Sequence, residues 1–130
     1  MNWIYLPYLI TCLALVVYVW NFMMVGQARN KFGIKAPAVT GSPEFERIFR
    51  VQQNMVEQIV LFLPALWLFS ATLSPLWAGI IGAVWVAGRV IYSVAYYGDA
   101  EKRAPGFIAS LLATVALLLG GVIGTLIDLF

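Results

Sequence analysis

Arg47, Arg50, Asn54 and Glu57 follow one another at spacings of three, four and three, so on a helix they share one face. At roughly 1.5 Å of rise per residue, Arg50 and Glu57 stand about 10 Å apart along it. They lie in Gly41–Pro64, GSPEFERIFRVQQNMVEQIVLFLP. Its beginning reads as a helix start. Ser42 can cap, Pro43 suits the first helical position, and Glu44 and Glu46 sit where the helix dipole favours anions. From Ile59 onward the same helix is as apolar as a bilayer span. A stripe of both charge signs thus runs into a setting where ionisable groups are expensive, and there they are read first as a functional site. Charges that only satisfy one another, or a neighbouring helix, account for the same residues.

A second stripe lies further on. Arg89, Tyr92, Tyr96, Asp99 and Arg103 are spaced three, four, three and four, one face if the helix continues past Gly98. Arg89 falls inside an apolar region, and a carboxylate on the facing helix, such as Glu57, is its expected partner. The tyrosines could belong to an interfacial belt. Their sharing a face with two arginines favours a site instead.

The elements that must hold these stripes are membrane spans. Of the 130 residues 62% are hydrophobic and only 11% charged, against about 25% charged in a soluble domain. The apolar runs predict one compact domain over residues 1–130, all-α, with spans at about 3–26, 42–71, 76–98 and 105–129. Trp3, Tyr5 and Tyr8 form an aromatic belt at the start of the first span, which is expected to be retained, since it lacks a basic leader and a cleavage site. Residues 27–40 read as a loop carrying Arg29, Lys31 and Lys35. Lys31 and Lys35 suit topology and anionic headgroups; Arg29, nearest the first span, could lean into a site. Pro64 should kink the second span. Gly120-x-x-x-Gly124 permits close helix approach.

The composition excludes several chemistries. Cys12 is the single cysteine and there is no histidine, so no Ser–His or Cys–His nucleophile and no His-containing metal site can be built, and no metal is expected. Cys12 is expected to be a small buried apolar residue. The net charge of +2 and the scattered cations give no nucleic-acid footprint. Lys and Arg cluster at the first and third connectors. The positive-inside rule puts both of these in the cytosol and both termini on the non-cytoplasmic side. Both stripes then open to the cytosolic face.

The groups on offer define a ligand. Arg29, Arg50 and Arg103 can meet carboxylates or a thiolate. Glu57 can take an ammonium, while Asn54, Tyr92 and Tyr96 serve amides. The complement is small, anionic overall, zwitterionic at one end and rich in amides. Glutathione fits that description, as would another amino-acid-like anion.

The run GSPEFERIFRVQQNMVEQ, with FER, an Arg three residues on and N-x-x-E, resembles the signature of the MAPEG family, the membrane-associated proteins in eicosanoid and glutathione metabolism. A second block, GRVIYSVAYYGDAEKRAPGF, is similar to that family in its paired tyrosines and in the Arg seven residues beyond. The resemblance implies an integral membrane four-helix bundle assembled as a homotrimer, with glutathione as co-substrate between adjacent subunits near the cytosolic face. By matching positions, Arg50, Asn54, Glu57, Tyr92, Tyr96 and Arg103 would come from one subunit, and Arg29 and Gln52 from its neighbour. Gln52 lies about 200° around the helix from Arg50, as a residue facing another subunit would. Arg103 matches the arginine that holds the thiolate in glutathione-conjugating members, where a fixed cation lowers the thiol pKa.

Departures qualify the chemistry. The leukotriene synthase subgroup has two adjacent arginines at the end of the first helix, where this chain has Arg29 and Asn30. The tyrosine that follows N-x-x-E in that subgroup is Gln58 here. A non-catalytic branch lacks the cation at the Arg103 position, so this chain resembles the catalytic branches. The expectation is a microsomal-type glutathione transferase that attacks lipophilic electrophiles in detoxification, with glutathione peroxidase activity as an additional reaction. The alternative is a non-catalytic scaffold of the same fold that binds or presents lipid. Short loops and the absence of a C-terminal tail point to a bacterial inner membrane, or to endoplasmic reticulum in a eukaryote.

Overall fold

A computed structural model describes all 130 residues. Four helices carry the chain: α1 (Leu6–Phe32), α2 (Pro43–Thr72), α3 (Pro75–Gly98) and α4 (Ala104–Leu129), with short 3-10 turns at Trp3–Tyr5 and Ala100–Arg103. There are no strands, and all four helices are long and apolar enough to cross a membrane. The helix starts are chemically explicit. Ser42 Oγ accepts from the Phe45 backbone N–H at 3.1 Å, and Ser74 Oγ accepts from Trp77 at 3.3 Å. Each cap is followed by a proline at the first helical position, where its missing N–H removes no intrahelical bond.

The first helix overruns its expected end. It passes through Gly26, continues to Phe32 and stops where Gly33 adopts φ +66°. A glycine inside a helix costs only about 1 kcal/mol, whereas the left-handed stop at Gly33 returns the Ile34 N–H to the Arg29 carbonyl at 3.1 Å. Residues 27–32, read as loop, therefore form a final helical turn, in which Arg29 and Lys31 sit at the favourable negative end of the dipole. The second helix runs as one element through Pro64.

The core is a column of interdigitated side chains from all four helices, including Ile10, Met55, Phe62, Leu66, Trp85 and Leu117. Phe62 and Trp85 pack with ring centroids 3.9 Å apart. Two close approaches set the helix spacing. A Cβ on Gly106 would collide with the backbone nitrogen of Tyr92, so α4 starts in van der Waals contact with the α3 backbone. At the other end, Gly120 and Gly124 seat against Phe69 and Thr72 of α2. The small-xxx-small spacing thus serves a contact within the chain.

A polar lock joins α1 to α3. Asn21 and Ser93 are both fully buried; Ser93 Oγ donates to Asn21 Oδ1 at 2.9 Å, and Asn21 Nδ2 donates to the Val17 carbonyl at 3.0 Å. Neither residue stood out in the sequence. The outward faces of α1 and α4 carry exposed Leu13, Val16, Leu112, Leu119, Ile123 and Ile127. Such a continuous apolar surface suits lipid or other apolar protein faces and not water. Cys12 lies on this outer face, exposed, which corrects its expected burial: its neighbours Ile10 and Ala14 take the inward positions.

Candidate functional site

Six of the eight expected site residues line one cavity of about 950 Å³. From α2 come Arg50, Asn54 and Glu57; from α3 come Tyr92 and Tyr96; from the 3-10 turn comes Arg103. The α2 contribution is fixed locally. Arg50 Nη1 donates to Glu57 Oε1 at 2.9 Å and Nη2 reaches Oε2 at 3.4 Å, while Asn54 Nδ2 donates to Oε2 at 3.3 Å. The two charged side chains remain 49% and 52% exposed, so they are available to a ligand.

The α3 contribution follows from the Asn21–Ser93 lock. Successive helical residues turn by about 100°, so when Ser93 and Tyr97 are held toward α1, Tyr92 and Tyr96 face the cavity. Tyr97 OH approaches Asn21 Oδ1 at 3.5 Å, and its ring meets Trp20 edge-on at 5.8 Å. Tyr92 and Tyr96 stand with ring centroids 5.4 Å apart.

Arg103 reaches the cavity by another route than the one expected. The helix does not continue past Gly98; Asp99 is extended, with φ −157° and ψ 118°. Asp99 Oδ1 then caps the next turn by accepting from the Glu101 backbone N–H at 3.0 Å. This 3-10 turn folds the chain back, so Arg103 faces Tyr96, its guanidinium carbon 5.9 Å from the ring centroid. Arg103 Nη1 donates to the Ala100 carbonyl. Asp99 itself does not line the cavity, because its carboxylate is spent on the cap.

The expected Arg89–Glu57 pair is not formed. Glu57 is engaged by Arg50 and Asn54, and the one ion pair in the chain is Arg50–Glu57. Arg89 is fully buried, and none of its three nitrogens has a hydrogen-bond partner. Its guanidinium lies 4.2 Å from the Tyr92 ring centroid, a cation–π contact behind the cavity wall.

Arg29 and Gln52 stand apart from this cavity. Arg29 Nη1 donates to the Ala38 carbonyl at 2.7 Å and the side chain packs over Phe45; it borders a separate shallow cavity with Lys35. Gln52 Oε1 accepts from Gln53 Nε2 at 3.1 Å.

Five residues complete the lining: Gln58, Glu101, Ala104, Phe107 and Ile108. In the sequence Gln58 stands where the leukotriene synthase subgroup has a tyrosine, Glu101 lies in the third connector, and Phe107 and Ile108 lie in the last apolar span. The signal that could have found them is their nearness in the chain to Asn54 and Arg103. The cavity thus has a charged wall on α2 and an apolar wall on α4, where Ile108 is 51% exposed. A water-soluble ion and a lipophile could meet here. No group of three His, Cys, Asp or Glu side chains that could hold a metal is present.

Comparison with known proteins gives these features a lineage. An uncharacterized protein of Synechocystis is 46% identical over 120 residues, covering 92% of this chain and 88% of that protein. Human microsomal glutathione S-transferase 2 is 43% identical over 102 residues, covering 78% of this chain and 69% of the human protein. Bovine leukotriene C4 synthase is 32% identical over 117 residues, covering 90% and 78% of the two chains. The MAPEG family profile matches residues 7–123, nearly the whole bundle and every helix that lines the cavity. The chain belongs to the MAPEG family, and it is an integral membrane protein.

Proposed function

We propose that this protein is a membrane-bound glutathione transferase that stabilises the glutathione thiolate for attack on lipophilic electrophiles. The observation that carries the reading is the gathering of Arg50, Asn54, Glu57, Tyr92, Tyr96 and Arg103 around one cavity with an apolar wall. The likeness to microsomal glutathione S-transferase 2 supports it.

Glutathione presents two carboxylates, one ammonium, two amides and a thiol. Arg50 suits a carboxylate, by the bidentate geometry of guanidinium. Glu57, released from Arg50, takes the ammonium. Asn54 and the tyrosines serve the amides. Arg103 is the cation left to face the sulfur, where it favours the thiolate over the thiol. The thiolate then forms a carbon–sulfur bond at the electrophilic carbon. A leaving group departs with its electron pair, or an epoxide opens and its oxygen takes a proton. The lipophile enters along Ala104, Phe107 and Ile108. With a lipid hydroperoxide and two glutathiones, the same thiolate would yield an alcohol, water and glutathione disulfide.

The functional unit in this reading is a homotrimer, with Arg29 and Gln52 reaching the site of a neighbouring subunit. Both termini lie on the non-cytoplasmic side, most simply of a bacterial inner membrane. Turnover of 1-chloro-2,4-dinitrobenzene and of a lipid hydroperoxide by the purified, lipid-supplemented protein tests the reading. Glutathione-dependent turnover of either supports an enzyme. Absence of both, with lipid still bound, would establish the scaffold.

A further inference from the structure

We propose that Glu101 is a specificity-determining residue that filters the second substrate by charge, disfavouring electrophiles that carry a carboxylate. The inference rests on the glutathione reading above and concerns the other reactant.

The cavity is bordered by two cations, Arg50 and Arg103, and two carboxylates, Glu57 and Glu101. Three of these four charges have an assigned task. Arg50 and Glu57 are already joined at 2.9 Å and match the two charges of an amino-acid end. Arg103 faces the sulfur. Glu101 is left over: its side chain pairs with no cation, although Arg103 is two residues away on the same turn. Arg103 instead donates to the Ala100 carbonyl and leans over Tyr96. The Asp99 cap fixes the start of the turn at the Glu101 N–H, so Glu101 and Arg103 both border the cavity while Lys102, between them, does not.

The position of this unspent charge decides what it acts on. Ala104, Phe107 and Ile108 follow Glu101 on the first turns of α4 and make the apolar wall of the cavity. A lipophile lying along that wall keeps its reactive carbon near Arg103 and brings its membrane-surface end beside Glu101. A neutral or cationic end is tolerated there, and a carboxylate is repelled. A like charge about 7 Å away across an effective dielectric of about 60 alters a rate by about fourfold, and salt screens the effect.

The test uses the full-length protein in lipid with two electrophiles of the same ring, leaving group and size but different charge, 4-chloro-3-nitrobenzoate and 4-chloro-3-nitrobenzamide. Their different intrinsic reactivities cancel when the ratio of their kcat/KM values is compared between protein variants. In both compounds, glutathione sulfur bonds to the ring carbon and chloride leaves with the electron pair. Glu101→Gln is expected to raise kcat/KM for the benzoate relative to the amide by about fourfold, and 0.5 M salt to shrink that gain. Glu101→Lys should raise the ratio further. A ratio that stays constant in both variants overturns the proposal. So does a constant ratio with a raised KM for glutathione, which would assign Glu101 to the ammonium of the peptide. If the unmodified protein turns over neither these compounds nor 1-chloro-2,4-dinitrobenzene, the glutathione reading fails and takes this one with it. If it turns over only 1-chloro-2,4-dinitrobenzene, the two compounds are compared as inhibitors of that reaction. An unchanged ratio of their inhibition constants in Glu101→Gln and Glu101→Lys then overturns the proposal alone.

Discussion

Arg50 and Glu57, seven residues apart on α2, close on one another through Nη1 and Oε1 at 2.9 Å, with Asn54 Nδ2 holding the second carboxylate oxygen at 3.3 Å. The pair spans almost two helical turns, and only the long arginine stem allows it. Both side chains are half exposed, so the pair is worth no more than about 1 kcal/mol. An incoming zwitterion can therefore replace it at little cost, its carboxylate taking Arg50 and its ammonium Glu57.

Glu57→Gln should weaken glutathione binding by about one to two decades, the value of about 1.5–3 kcal/mol for a charged hydrogen bond. Lys35→Ala, outside the main cavity, should change affinity by less than twofold. Titration calorimetry reads both. Equal losses in the two variants would make Glu57 part of a general folding network.

Arg103 and Arg50 should separate chemistry from binding. Arg103→Ala is expected to lower kcat by ten- to a hundredfold, roughly the loss of one charge-assisted contact made mainly in the transition state. Its effect on glutathione affinity should be smaller. Bound glutathione should also lose its thiolate absorbance at neutral pH, because removing the cation raises the thiol pKa. Arg50→Ala should damage affinity more than thiolate formation. Normal turnover and normal absorbance in Arg103→Ala would leave Arg103 as a topology cation.

Gly106→Ala tests how the site is spaced. The added methyl meets the Tyr92 backbone rather than a flexible side chain, so α4 must move away from α3. Overpacking of this kind costs about 1–3 kcal/mol. The thermal inactivation midpoint in detergent should fall, and glutathione turnover at low temperature should fall with it, since Tyr92 and Arg103 stand on the two displaced segments. Unchanged stability would mean that the helix contact is looser than its geometry.

Asn21→Leu should act at a distance. It leaves the Ser93 hydroxyl and Tyr97 without their shared acceptor, a loss of about 0.6–1.7 kcal/mol for a polar contact inside a membrane bundle. If the lock sets the rotation of α3, KM for glutathione should rise, although Asn21 does not border the cavity. Restoring a polar partner with Asn21→Gln should recover part of it. A stability loss with unchanged KM would confine the lock to folding.

Orientation can be read with single cysteines, once exposed Cys12 is replaced by Ser. Cysteines at Lys35 and Lys102 should label only from the cytosolic side, and one at Phe130 only from the other. A cytosolic Phe130 would put the cavity on the opposite face of the membrane.

The amino-acid sequence by itself determined the four apolar helices, the capped start at Ser42 and Pro43, and the α2 stripe. These depend on local chemistry and on periodicities that a single helix expresses alone. The family signature lies in the same local runs. Arg103 borders the cavity, but not by the continuous helix that the spacing suggests, because a helix extended past Gly98 would have carried Asp99 to the same face. Only the folded chain shows that Asp99 caps a 3-10 turn and that this turn delivers Glu101 beside Arg103. The pairing of Glu57 with Arg89, expected from the sequence, is not the one that forms. Arg89 and Arg50 were both candidates by charge, and packing chose between them by enclosing Arg89 behind Tyr92 while Arg50 kept a clear path along α2. The Asn21–Ser93 lock joins residues 72 positions apart, and no spacing rule reaches that far. Local pattern specifies which groups a helix presents. Which of them meet depends on helix rotation and close approach, and those are set by glycines and buried polar contacts whose partners exist only after the bundle forms.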